Sequence, residues 1–243
     1  MKSKPYVRFL NRTALFEADL ELADALSYLA SQQAVGSGKI LPNVESERYP
    51  RLAKRRDSAG ARKDACKHLN ITLRAAYLKD IYEEIGHYMT DVLTCAIRRG
   101  LDPGRIIGSH RFNVDASYLL SLGTWERVLD YVAAELFRKL ETERSTIKLL
   151  TSFSDKLNLA VDNAILETAL PYLDLRHILV HRDGRIDRDF AARHPQLGLN
   201  EGDDFSLSHA DIVNARKAIS ALMAHFDDRV IRTGSILPED QQP

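Results

Sequence analysis

Within Pro171–Gly184 the chain reads Pro-Tyr-Leu-Asp-Leu-Arg-His-Ile-Leu-Val-His-Arg-Asp-Gly, which sets Arg176, His177 and His181 within six positions of one another. A guanidinium can hold two phosphate oxygens and stabilise the extra charge of a pentacoordinate phosphate. An imidazole, titrating near 6.5 in the absence of perturbation, can take or give a proton at neutral pH. Such a set suits cleavage of a phosphodiester, with the ribose 2′-hydroxyl of RNA as the nucleophile and no metal required. If the run is helical, His177 and His181 share a face that continues the line of Leu166, Leu170 and Leu173. Arg176 is then turned about 100° from His177, and Leu175, Ile178 and Leu179 anchor the helix. The same residues admit two other readings. Histidines four apart on a helix also have metal-ligand spacing, with Asp174, His194 or His209 as conceivable further ligands, although neither cysteine is near and no HExxH glutamate is present. A histidine at a helix end can also simply cap it.

The elements that must carry these residues are helical. Leu15, Leu22, Leu26, Leu29 and Gln33 mark an amphipathic helix from Thr13 to about Gln33. From about Leu73 to Arg99 the line Leu73, Tyr77, Ile81, Ile85, Tyr88, Val92 and Cys95 marks a long one, closed by Gly100 and Pro103. Trp125, Leu129, Val132, Leu136 and Leu140 mark a third, and a shorter one follows from Ser145 through Leu157. The motif helix starts near Asp162, with a start or kink at Pro171 and a stop at Gly184. The last helix starts at Ser208 with Asp211 three residues on, a capping-box arrangement, and follows Ile212, Ala215, Ile219, Leu222, Phe226 and Val230. Sustained alternation of period two is absent, so strands are short accessories at most and the fold class is all-α. Trp125 reads as core rather than as a base-stacking platform, and Cys66 and Cys95 as packing residues. Residues 233–243 have no periodicity and read as a flexible tail.

Lysine plus arginine equals aspartate plus glutamate at 34 each, so any affinity for a polyanion must come from a local patch. The marked asymmetry is the basic stretch from Arg48 to Arg74, in which Arg51, Lys54, Arg55 and Arg56 are candidates to track an RNA backbone, as is Arg182 beside the motif. Its bland reading is a solvated loop and helix start. Gly-Ser-Gly-Lys at 36–39 lacks the strand and spacing of a phosphate-binding loop. Two cysteines without CxxC spacing, no signal peptide and no apolar run of about 18 residues suggest an intracellular, cytoplasmic protein without structural disulfides, membrane spans or a resident cofactor.

The spacing of Arg176 and His181, with polar His177 next to the arginine and one further helix after the motif, resembles the signature of the HEPN domain family, in particular its RiboL-PSP subgroup. Ile71-Thr-Leu-Arg-Ala-Ala-Tyr and Glu141-Thr-Glu-Arg-Ser-Thr-Ile are similar to that subgroup as well. The resemblance covers residues 65–232 and implies a HEPN-like helical bundle elaborated by an N-terminal helix and basic linker over residues 1–64. It implies catalytic Arg176 and His181 with His177 in support, and a homodimer in which two motifs meet in a composite cleft. The activity implied is that of a metal-independent endoribonuclease acting as a toxin or a phage-defence or stress effector, with an antitoxin or defence partner. The alternative is a non-catalytic HEPN dimer that binds RNA, a nucleotide or a protein. Asp183 stands where relatives controlled by adenylylation carry a tyrosine, so that control is not expected here.

Overall fold

The computed structural model describes residues 1–32, 45, 47–55, 58–108, 114–141, 143 and 145–242. Arg56 and the segment 36–39 lie outside the described residues. The element order is β1 (Lys2–Ser3), α1 (Lys4–Gln32), α2 (Pro50–Ala53), α3 (Ala59–Arg98), α4 (Pro103–Ile107), α5 (Ala116–Ser121) and α6 (Trp125–Glu141), then α7 (Thr146–Leu157), α8 (Asn163–His181), α9 (Arg188–Arg193), α10 (His209–Arg232) and β2 (Gln241–Gln242). The fold is all-α.

The axis of the bundle is α3, forty residues and so about 60 Å long. Its apolar line is buried as the periodicity requires, with Tyr77, Ile81, Ile85, Tyr88 and Val92 all inside. Around it pack α1, α6, α8 and α10. Ile212, Ala215, Ile219, Leu222, Phe226 and Val230 of α10 are buried, Phe226 edge-on against Phe153 of α7. The expected starts at Asp162 and Ser208 act as caps, Asp162 accepting from Ala164 N and Ser208 forming the full capping box with Asp211, and Ser58 accepts from Ala61 N at the start of α3. No helix of the described residues is long and apolar enough to cross a membrane.

Four expectations are corrected. The long helix begins at Ala59, not near Leu73, so a boundary at 64/65 falls inside α3 and α1 belongs to the same bundle through its packing on α3. The leucines of α1 do not face that packing: Phe9, Thr13, Ala23 and Ser27 are buried, while Leu15, Leu22, Leu26 and Leu29 are exposed. Small residues allow α1 and α3 to approach closely, and Ser27 Oγ donates to Asn70 at 3.3 Å across the contact. Trp125, expected inside, is 69% exposed. It opens the first turn of α6, five residues before Asp130, which pairs with Arg98 at the end of α3. Residues 233–242 are docked rather than loose. Ser235 and Ile236 are buried, and β2 pairs antiparallel with β1. Beneath that pairing Asp227 accepts from Ser3 N at 3.0 Å, from Ser3 Oγ and from Tyr88 Oη, tying both chain ends to α3 and α10.

Candidate functional site

Leu173, Leu175 and Ile178 are all buried, Leu173 about 200° around α8 from Leu175, so the helix is packed on more than one side and its exposed histidines lie toward its C-terminal end. Pro171 lies inside the helix without ending it. The helix stops after His181, where Arg182 N and Gly184 N both donate to Ile178 O, at 3.0 and 3.2 Å. Asp183 and Gly184 turn there with φ of 51° and 84°. A Cβ at Gly184 would stand 2.8 Å from Phe205 O, so glycine is required by contact as well as by backbone angle. Phe205 N donates to Gly184 O and Ile186 N to Asp203 O, each at 2.9 Å, which stitches the exit of α8 to the following loop. Asp187 then caps α9 by accepting from Phe190 N at 2.8 Å.

On this end His177 and His181 are both exposed, with ring centroids 4.8 Å apart. Arg176 is half-buried, and its guanidinium sits 5.0 Å from the ring centre of Tyr82 on α3. Five positions along a helix correspond to about 140°, so Arg176 and His181 leave α8 in different directions. The two histidines are therefore brought together, and the arginine is held to one side of them by an aromatic platform. Partial burial, the positive charge of His181 and the nearby Arg182 and Arg176 lower the His177 pKa, against the opposing pull of Asp187. His177 thus prefers its neutral form. Tyr82 was not legible as a site residue, because it falls off the apolar line of α3 and nothing in sequence ties it to Arg176.

Two residues before Arg176 the same helix carries a different set. Asp174 and His194 are both buried, with His194 Nε2 2.8 Å from Asp174 Oδ2 and stacked at 4.9 Å on Phe190. Arg193 also reaches Asp174 Oδ2, and Thr146 bonds the same carboxylate. Burial pushes the Asp174 pKa up, but His194, Thr146 and Arg193 together outweigh it and hold the carboxyl below its ordinary range. Asp174 and His194, conceivable as metal ligands from sequence, spend their polar atoms on one another. His209 lies elsewhere, in a cleft between α1, α3 and α10. Among the described residues no group of three or more histidines, cysteines, aspartates or glutamates is placed to hold a metal ion.

The basic candidates separate. Arg182 is at the motif, 3.9 Å from Asp187. Arg51 and Arg55 line an apolar groove with Leu26, Leu29, Leu52 and Leu69, and Lys54 is exposed beside them as the C-cap of α2. That groove includes Cys66, sixteen residues and about 24 Å along α3 from Tyr82. No family model, curated protein or solved structure matches the chain, so the functional reading rests on its own residues and their placement.

Proposed function

We propose that the chain is a HEPN-type endoribonuclease that cleaves RNA by attack of the ribose 2′-hydroxyl, without a metal. The observation that supports this reading most is the end of α8, where two exposed imidazoles in contact stand beside an arginine held on Tyr82, on a turn fixed by backbone hydrogen bonds. His177, whose neutral form is favoured, takes the 2′-hydroxyl proton as the 2′-oxygen bonds to phosphorus. His181 gives a proton to the 5′-oxygen as the bond from phosphorus to that oxygen breaks. Arg176 stabilises the charge gathered on the non-bridging oxygens. The products are a 2′,3′-cyclic phosphate and a 5′-hydroxyl.

Two of the three carboxylates around the motif are committed elsewhere, Asp174 to His194 and Arg193 and Asp187 to the cap of α9, which leaves the exposed Asp183 and supports the metal-free route. The motif lies on an open surface, and a second copy facing it across a two-fold axis would supply the other wall of a cleft. The deciding experiment incubates the purified protein and its His181→Ala variant with total RNA in EDTA. Cleavage by the first alone, lost when the scissile nucleotide is 2′-deoxy, supports the reading. RNA binding without cleavage by either protein would make it a binding module. Light scattering that finds a monomer at micromolar concentration removes the shared cleft.

A further inference from the structure

We infer that the face built by α1, α2 and the start of α3 is a docking site for an acidic amphipathic helix of a partner protein. Leu15, Leu22, Leu26 and Leu29 are spaced by seven, four and three residues, and each is between 54% and 59% exposed. They form a stripe about 21 Å long on a helix whose opposite side is already packed on α3. At its C-terminal end the stripe runs into a groove of about 670 Å3, walled across from Leu26 and Leu29 by Leu52 and Leu69. Aliphatic anchors at this spacing are the complement of a helix laid in a groove.

Charge selects the occupant. Among the described residues the groove is lined by the exposed Arg51 and Arg55 and by no carboxylate, while Lys54 is exposed next to it. Asp19, between Leu15 and Leu22, is the acidic interruption of the stripe, well away from those arginines. A helix with leucines on one face and glutamates along its edge satisfies both the walls and the rim. Single-stranded RNA fits less well, because the lining offers no aromatic ring on which a base can stack. A second copy of this chain also fits less well, a step that rests on the proposed pairing of motifs across a dimer. Arg12 meets Glu84 of α3, whereas Arg176 meets Tyr82, two residues and about 200° away on that helix. Pairing through α1 would therefore hold the two motifs on remote sides. A partner helix in the groove leaves Arg176 and His181 uncovered, so it recruits or restrains the protein without plugging the site.

The test uses the full chain and a fluorescent peptide of about 18 residues, long enough to cover the stripe, with leucines at positions i, i+4 and i+7 and glutamates flanking them. A counterpart carries lysines in place of the glutamates. The acidic peptide is expected to bind saturably. Leu22→Asp with Leu26→Asp, and separately Arg51→Glu with Arg55→Glu, are each expected to weaken it about tenfold or more. The arginine-reversed protein should gain affinity for the lysine peptide. These side chains are on the surface, and far-UV circular dichroism checks that helical content is kept. Failure of the acidic peptide to saturate, or equal binding of both peptides, overturns the proposal. So does dissociation of an oligomer by the leucine variants, which assigns the face to a second copy, or loss of RNA affinity alone in the arginine variants, which assigns it to RNA. A cross-link from Cys66 to the chain's own residues 33–44 would assign the groove to an internal cover. None of these readouts uses RNA cleavage, so the nuclease reading can fail without deciding this one.

Discussion

Helix α8 takes part in two polar clusters with opposite fates. Asp174 and His194 are enclosed, and the Asp174 carboxylate is also met by the exposed Arg193. Within two turns of it, His177 and His181 are exposed and lie against each other, and the half-buried Arg176 rests on Tyr82. Residue type therefore does not separate structure from chemistry here; place along the helix does, since Asp174 and His181 share an angular position two turns apart, the first buried and the second exposed. Asp174 and Arg176 are about 200° apart on the helix, so one points under α9 while the other points along α3. The enclosed set fixes how α8 and α9 meet, and the exposed set is left free to meet a ligand. The two sets should separate cleanly in stability and in activity.

The largest effect is expected on activity. His181→Ala and Arg176→Ala should each reduce RNA cleavage by about 10²–10⁴-fold, the range for loss of a general acid or a charge-stabilising donor. Melting temperature should stay where it is, because neither side chain fills the core. If His181→Ala unfolds the protein, the histidine is a cap and the contrast between the sets collapses.

Asp174→Ala should behave in the opposite way. Removing a buried carboxylate that pairs His194 and Arg193 leaves polar groups unmatched, and a loss of about 3 kcal/mol in thermal or urea unfolding is expected. The pH dependence has a definite sign. Because the folded pKa of Asp174 is depressed, its contribution is present above the ordinary carboxylate value and is lost as pH falls through the depressed one. The gap between wild type and Asp174→Ala should therefore narrow in acid. A gap that is constant with pH would show that packing, not charge, holds the node.

A second buried carboxylate sharpens the point. Asp227 is bonded by Ser3 and Tyr88, with no cation among those partners; burial raises its pKa, and the hydrogen bonds do not reverse it. Its sign is opposite: the stability linked to its protonation is present at low pH and lost as pH rises through the raised value. Ser3→Ala, which removes one of these donors, is expected to cost about 1–2 kcal/mol at neutral pH and to loosen residues 233–242. Unfolding in denaturant measures the first and amide exchange of Ile236 the second.

Much of this was legible in the sequence, and the exceptions share a cause. The apolar lines of α3 and α10, the capping box at Ser208 and the pairing of His177 with His181 follow from local spacing, which the chain honours. The burial of α1 does not, because Thr13, Ala23 and Ser27 gain their place only from the close approach of α3, and Leu22 and Leu26 are left outside. Trp125 keeps the apolar spacing of α6 and is exposed all the same. The tail is ordered by Ser3 and Asp227, more than two hundred residues apart. Tyr82 under Arg176 is likewise a contact between helices distant in sequence. Periodicity reports which residues share a face, while the partner of that face is decided elsewhere.

The smallest expected effect tests the exposed set without any substrate. The His177 ring should titrate below the ordinary imidazole value of about 6.5, because partial burial and then the charge on His181 both disfavour its protonated form. Replacing His181 with alanine removes the like charge, so the His177 midpoint should rise, by less than a full return because burial and the arginines persist. Asp187→Asn should move it the other way, since Asp187 is the group that favours the imidazolium. Asparagine keeps the cap of α9, so the shift would not reflect local unfolding. Ring-proton NMR across pH 5 to 8 reads each midpoint to a few tenths of a unit, and changes of that size are expected for exposed charges in water. A His177 midpoint indifferent to His181 would mean that the two rings do not act as a coupled pair. Acid and base would then have to come from separate chains, and the catalytic unit could only be the dimer.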